Sequence, residues 1–141
     1  MPVISVTRLR VRRWWFVPQF VLSSLRAARQ AAAADGNLRV ALLRDRKQVY
    51  WTCTSWASEA AINTFMHAAP HGPLMRRLLN WCDEASLVHW TQDGGELPAW
   101  PDAHGRLQRE GRRSKVNWPS ADHQAFRITP PAPNAVSTKI K

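Results

Sequence analysis

A chain of 141 residues and 16.1 kDa has room for a single core, and 45% hydrophobic with 21% charged content excludes wholesale disorder. Sixteen Arg and four Lys against ten acids leave a net charge of +10, which points either to an anionic partner or to a solvated basic surface. The two cysteines, Cys53 and Cys82, lack CxxC or metal-type spacing and lie in apolar runs, so they read as buried free thiols.

In chain order, Val3–Val11 alternates with period two and predicts a strand, with Val3, Ser5, Thr7, Leu9 and Val11 on one face. The apolar run from Trp14 to Leu25 is interrupted by Pro18, Gln19, Ser23 and Ser24 and is too short to span a membrane. Set beside the strand-like stretch before it, this favours a cytoplasmic protein over a signal peptide. Trp15 to Ala34 predicts a helix with Pro18 in its first turn and Gly36 as a left-handed cap.

Leu38–Leu43 and Val49–Trp56 form a predicted hairpin. In its second strand Tyr50, Thr52, Thr54 and Trp56 share one face, and Val49, Trp51, Cys53 and Ser55 the other. Neither face is clearly polar, so both sides need cover. Ser58 is the expected N-cap of a second helix, which Pro70 interrupts and Gly72-Pro73 restarts. Ala85–Thr91 alternates again as a last strand.

The order β-α-β-β-α-β predicts an α+β, ferredoxin-like domain over residues 1–93, with a four-stranded antiparallel sheet and helices on one face. A second copy paired sheet to sheet would cover the other face, giving a homodimer with an eight-stranded, barrel-like interface. Residues 94–128 read as a basic extension docking partly on the domain, with a short helix near Pro101–Glu110 and Trp118 as an anchor. Residues 129–141 are expected to be disordered.

The strand order, and the run Ser55-Trp56-Ala57-Ser58-Glu59-Ala60-Ala61 followed by Phe65 and His71, resemble the antibiotic-biosynthesis-monooxygenase-like superfamily of dimeric α+β barrels. The resemblance covers roughly residues 3–92 and implies a monooxygenase-like activity. Within that superfamily, similarity to the haem-degrading monooxygenases implies site roles for Thr7-Arg8-Leu9, Trp56 and His71. Thr7 stands where those proteins have Asn, and a hydroxyl offers different hydrogen-bonding groups from an amide. A looser similarity to spheroidene-type monooxygenases involves Arg8-Leu9, Trp14-Trp15 and Trp56 to Ala60.

The resemblance thus makes Thr7, Trp56 and His71 the catalytic candidates, with His71 as ligand to haem iron if haem is bound. Trp15, Phe20, Trp56 and Phe65 would line a pocket between sheet and helices, and Arg8 would stand in a basic rim suited to a carboxylate. The cofactor stays open between haem and none, with oxygen then activated by the substrate itself. His67 and His71 are four apart, but Pro70 breaks the geometry a metal needs. No phosphate loop, dinucleotide fingerprint or G-x-S-x-G motif occurs. Two other readings remain: a non-catalytic barrel that binds a small, flat apolar or aromatic ligand, and nucleic-acid binding through Arg106, Arg109, Arg112, Arg113, Lys115 and Trp118.

Overall fold

The computed structural model of the protein describes residues 1–68 and 71–141, without the side chains of residues 71–73 and 75. Strand β1 (Val3–Val11) leads through a 3-10 turn at Trp14–Phe16 into helix α1 (Val17–Ala33), whose first turn carries Pro18. β2 (Asn37–Arg44) and β3 (Val49–Trp56) form the hairpin. Gly36 turns the chain into β2 at φ +83°, and a Cβ there would lie 2.6 Å from that of Ala61, so both the conformation and the space call for glycine.

Helices α2 (Glu59–His67) and α3 (His71–Trp81) follow, then β4 (Cys82–Thr91). Ser58 caps α2 by accepting a hydrogen bond from the Ala61 N–H at 3.2 Å. The extension holds α4 (Trp100–Glu110), β5 (Arg112–Arg113), α5 (Ala121–Ala125) and β6 (Val136–Lys139).

The architecture is α+β and antiparallel, but the sheet has six strands rather than four, in the order β5-β4-β1-β3-β2-β6. Both added strands come from the extension. Residues 136–139, expected to be disordered, lie along the edge of β2, with Leu42 opposite Thr138 and Leu43 opposite Ser137. An open edge supplies the backbone partners that this short, polar stretch cannot supply itself.

The sheet separates two cores. On one face Val3, Val40 and Trp56 pack with Ala28, Ala31 and Ile62, while Leu9, Val11 and Ala85 pack with Phe20, Leu74 and Trp81. On the other face Ile4, Val6, Trp51, Cys53 and Val88 meet Ala103 and Leu107 of α4, with Ile128 and Phe126 beside them. The face expected to need a second copy is therefore covered from within the chain, and a sheet-to-sheet barrel is not what covers it. The extension's expected anchor, Trp118, stays 61% exposed, and Val116 packs inward instead.

Candidate functional site

Alternation along β1 and its register with both neighbours generate a polar strip on the face beneath α1–α3. One row runs His89–Ser5–Thr54 across β4, β1 and β3, and the next runs Leu87–Thr7–Thr52. Ser5 is buried, whereas Thr7, Thr52, Thr54 and Leu87 are only half-buried although β1 is a central strand. Solvent therefore reaches the middle of the sheet between the two aliphatic and aromatic clusters.

An aromatic pair stands at each end of the strip. Trp56 is fully buried, with its ring centroid 5.1 Å from that of Phe65. Its indole N–H donates to Thr54 Oγ1 at 2.9 Å, which leaves the threonine hydroxyl proton free for another acceptor. At the other end Phe20 lies 4.9 Å from Tyr50. The four expected lining aromatics thus divide: Trp56 and Phe65 share one cluster, Phe20 belongs to the other, and Trp15 is 54% exposed outside both.

Arg8 is placed elsewhere. It points to the α4 face, 2% exposed, and donates to Glu84 Oε1 at 2.7 Å. Glu84 Oε2 accepts from Arg10 at 3.3 Å and from the Ser120 hydroxyl, the N-cap of α5, at 2.8 Å. Burial works to raise the Glu84 pKa, but the hydrogen bonds from Arg8 and Ser120 and the charges of Arg8 and Arg10 outweigh it and hold the carboxyl below its ordinary value. Sequence reasoning missed this network. Its available signal was an Arg and a Glu, each at an inward position of an otherwise apolar strand.

His89, an exposed residue, sits on the strip at the β4 edge. The protein around it, and then the charge of Arg112, lower its pKa against the opposing pull of Glu59, so the imidazole is neutral at neutral pH. The thiols of Cys53 and Cys82 are pushed up to about 12 by burial, for Cys82 with help from Asp83, and are not nucleophiles.

The side chain of His71 lies outside the described residues. His67 is exposed and bonded through Nδ1 to the Asn63 carbonyl at 2.8 Å, and among the described residues no three His, Cys, Asp or Glu side chains gather to hold a metal. Of the arginines near the expected basic rim, Arg8 faces away, Arg10 is held by Asp83 and Glu84, and Arg12 is bound to the Asn80 carbonyl, while the charge of Arg112 reaches His89 on the strip. In the basic extension, Arg106 is paired with Glu110 and lies over Trp90, and Arg113 donates to the Gln124 carbonyl.

Several solved structures share this fold. SnoaB, a cofactor-independent oxygenase from Streptomyces nogalater, is 21% identical, with a TM-score of 0.54 over 66% of this chain and 94% of its own. PA3566 from Pseudomonas aeruginosa is 12% identical, with a TM-score of 0.58 over 66% and 95%. An antibiotic biosynthesis monooxygenase is 9% identical, with a TM-score of 0.58 over 65% and 99%. At these identities the likeness is one of fold, and no curated protein matches the sequence. The family described as a domain of unknown function (DUF3291) matches residues 16–137, from the 3-10 turn into β6. The chain belongs to that family, and it shares its fold with these solved structures.

Proposed function

We propose that this protein holds a flat aromatic or polyene ligand against the hydroxyl strip, between the Trp56–Phe65 and Phe20–Tyr50 pairs, and oxygenates it without a bound cofactor. The observation that carries the reading is solvent access to Thr7 in the middle of the central strand, a place that packing would otherwise close. Thr7, Ser5 and Thr54 supply hydroxyls to orient ligand oxygens, and the apolar clusters flank a ring system. Neutral His89 is the group able to accept a proton. An electron-rich ring with an acidic CH2 would lose that proton and pass electrons to dioxygen. The CH2 becomes C=O and the second oxygen atom leaves as water, so the substrate supplies all four electrons. The likeness to a cofactor-independent oxygenase supports this route at the level of fold. The reading does not depend on a homodimer, and any second copy would pair through a surface other than the one α4 covers.

The test is oxygen uptake with a hydroxylated anthrone for wild type, Thr7→Val and His89→Gln. Uptake above autoxidation that falls at least tenfold in His89→Gln, with binding retained, is the expected result. Saturable binding with no uptake would reject catalysis and leave a ligand-binding protein. A hemin titration with wild type and His71→Ala runs beside it, and a Soret shift that depends on His71 would overturn the cofactor-free route.

A further inference from the structure

Among the exposed large side chains, Trp14, Trp15 and Trp118 gather at one end of the molecule. Trp14 is 72% and Trp118 61% exposed. Contacts join them into one surface: Trp14 meets Trp15 edge to face at 5.8 Å, Trp15 lies 6.0 Å from Phe16, and the Arg12 guanidinium sits 5.4 Å from the Phe16 ring and 6.0 Å from that of Trp118. Leu22 is also exposed in the second turn of α1, and Arg26 and Arg29, four and seven residues on, continue its outer side. Burying these rings would be favourable in any fold that could do so, and this one leaves them in water.

The charge around them is mainly positive. The first 34 residues contain six arginines and no acid. Beside Trp14 an open cleft of about 370 Å³ is lined by Arg44, Lys47, Gln48 and Tyr50, with Asp45 the one acid among its lining residues. Tryptophan with flanking arginine on the outer side of a helix is the composition that settles at a bilayer interface, rings at the acyl boundary and cations among the headgroups. Among the described residues no helix is long and apolar enough to cross a membrane, so the attachment proposed is a peripheral one.

We infer that this end of the protein docks on the surface of an anionic phospholipid bilayer. Single-stranded nucleic acid fits the patch less well. Trp14 and Trp15 stand at 81° to one another, Arg13 covers the face of Trp15, and Leu22 and Pro18 have no stacking face, whereas bases need open, aligned platforms. The inference does not rest on the proposed oxygenase chemistry.

Sedimentation of the intact protein with vesicles of phosphatidylcholine containing about 30% phosphatidylserine tests it, with pure phosphatidylcholine as the control. Recovery is expected to be at least about fivefold greater on the anionic vesicles and to fall with added salt. Trp14→Ala/Trp15→Ala should lose about tenfold in partitioning while circular dichroism and melting temperature stay unchanged, because both rings are exposed. Arg13→Ser/Arg44→Ser should weaken the anionic preference by a similar factor. Equal recovery on neutral vesicles, or binding unchanged in the tryptophan variant, overturns the inference. So does a tighter complex with a single-stranded oligonucleotide lost in the same variant, or a dimer by light scattering that the variant splits.

Discussion

Adjacent residues Thr7 and Arg8 mark the boundary between what resemblance and what strand geometry can say. Family likeness assigned both to one pocket, while period-two alternation assigned them to opposite faces, and alternation prevailed: Thr7 lies on the strip and Arg8 under α4. Trp56 was read as a site residue, and in the fold it is a core residue whose ring packs on Phe65 while its N–H donates to Thr54. Trp56→Ala should cost about 3–5 kcal/mol by chemical denaturation, as for other buried aromatics. Trp56→Phe should cost less and still alter ligand binding through the freed Thr54 hydroxyl. Cys53 and Cys82, with thiols raised to about 12, should resist a thiol reagent at pH 8 until denaturant is added, when both react.

Glu84 sets a pH dependence whose sign follows from its depressed pKa. Its stabilising contribution is fully present above the ordinary carboxylate value of about 4.3 and is lost as pH falls below that value through the folded-state pKa. Asp83 works the other way, since burial raises it more than Arg10 lowers it, so its protonation on acidification relieves part of the loss. The measurement is urea denaturation from pH 7 to pH 3 for wild type and Glu84→Gln. The wild type should lose stability more steeply below about pH 4.5, and Glu84→Gln should be the weaker protein at pH 7, by about 3–5 kcal/mol if Arg8 is left buried and unpaired.

Elements with their own pattern were readable in the sequence, and elements completed by neighbours were not. β1, the hairpin, the Ser58 cap and the break between α2 and α3 all rest on local signals: alternation, a short polar joint, an oxygen at the N-cap, a proline. β5 has two residues and β6 four, all exposed, with no alternation to read, and both exist because β4 and β2 present open edges. α5 has five residues and ends on Phe126 in a left-handed conformation, held by packing of that ring into the α4 core. The strip itself was half legible. Ser5 and Thr7 were seen on one face, but only the register with β3 and β4 brings Thr52, Thr54 and His89 beside them. At this scale Leu107→Ala is the informative change. Leu107 is fully buried against Ile4, Val6 and Trp51, and its truncation should cost about 2–5 kcal/mol in a two-state melt, as for a core residue rather than one in a loosely attached tail.

For the whole molecule, the sheet's second face was read correctly as needing cover and assigned to the wrong cover. A strand such as Val49–Trp56, apolar on both sides, states that something must lie against each face, but not whether that partner is in the same chain. Here α4 and the residues around Phe126 and Ile128 supply it, so a sheet-to-sheet dimer would first have to displace Ala103 and Leu107 from Trp51, Cys53 and Val88. Deleting residues 94–141 should therefore expose a contiguous apolar surface of β-branched and aromatic side chains on a sheet with bare edges, a combination that drives association. The truncated chain is expected to run at least twice its own monomer mass in light scattering at micromolar concentration, or to precipitate. If it stays at the same state and melts at the same temperature, α4 contributes no cover that the sheet needs, and the second face must be satisfied by a partner after all.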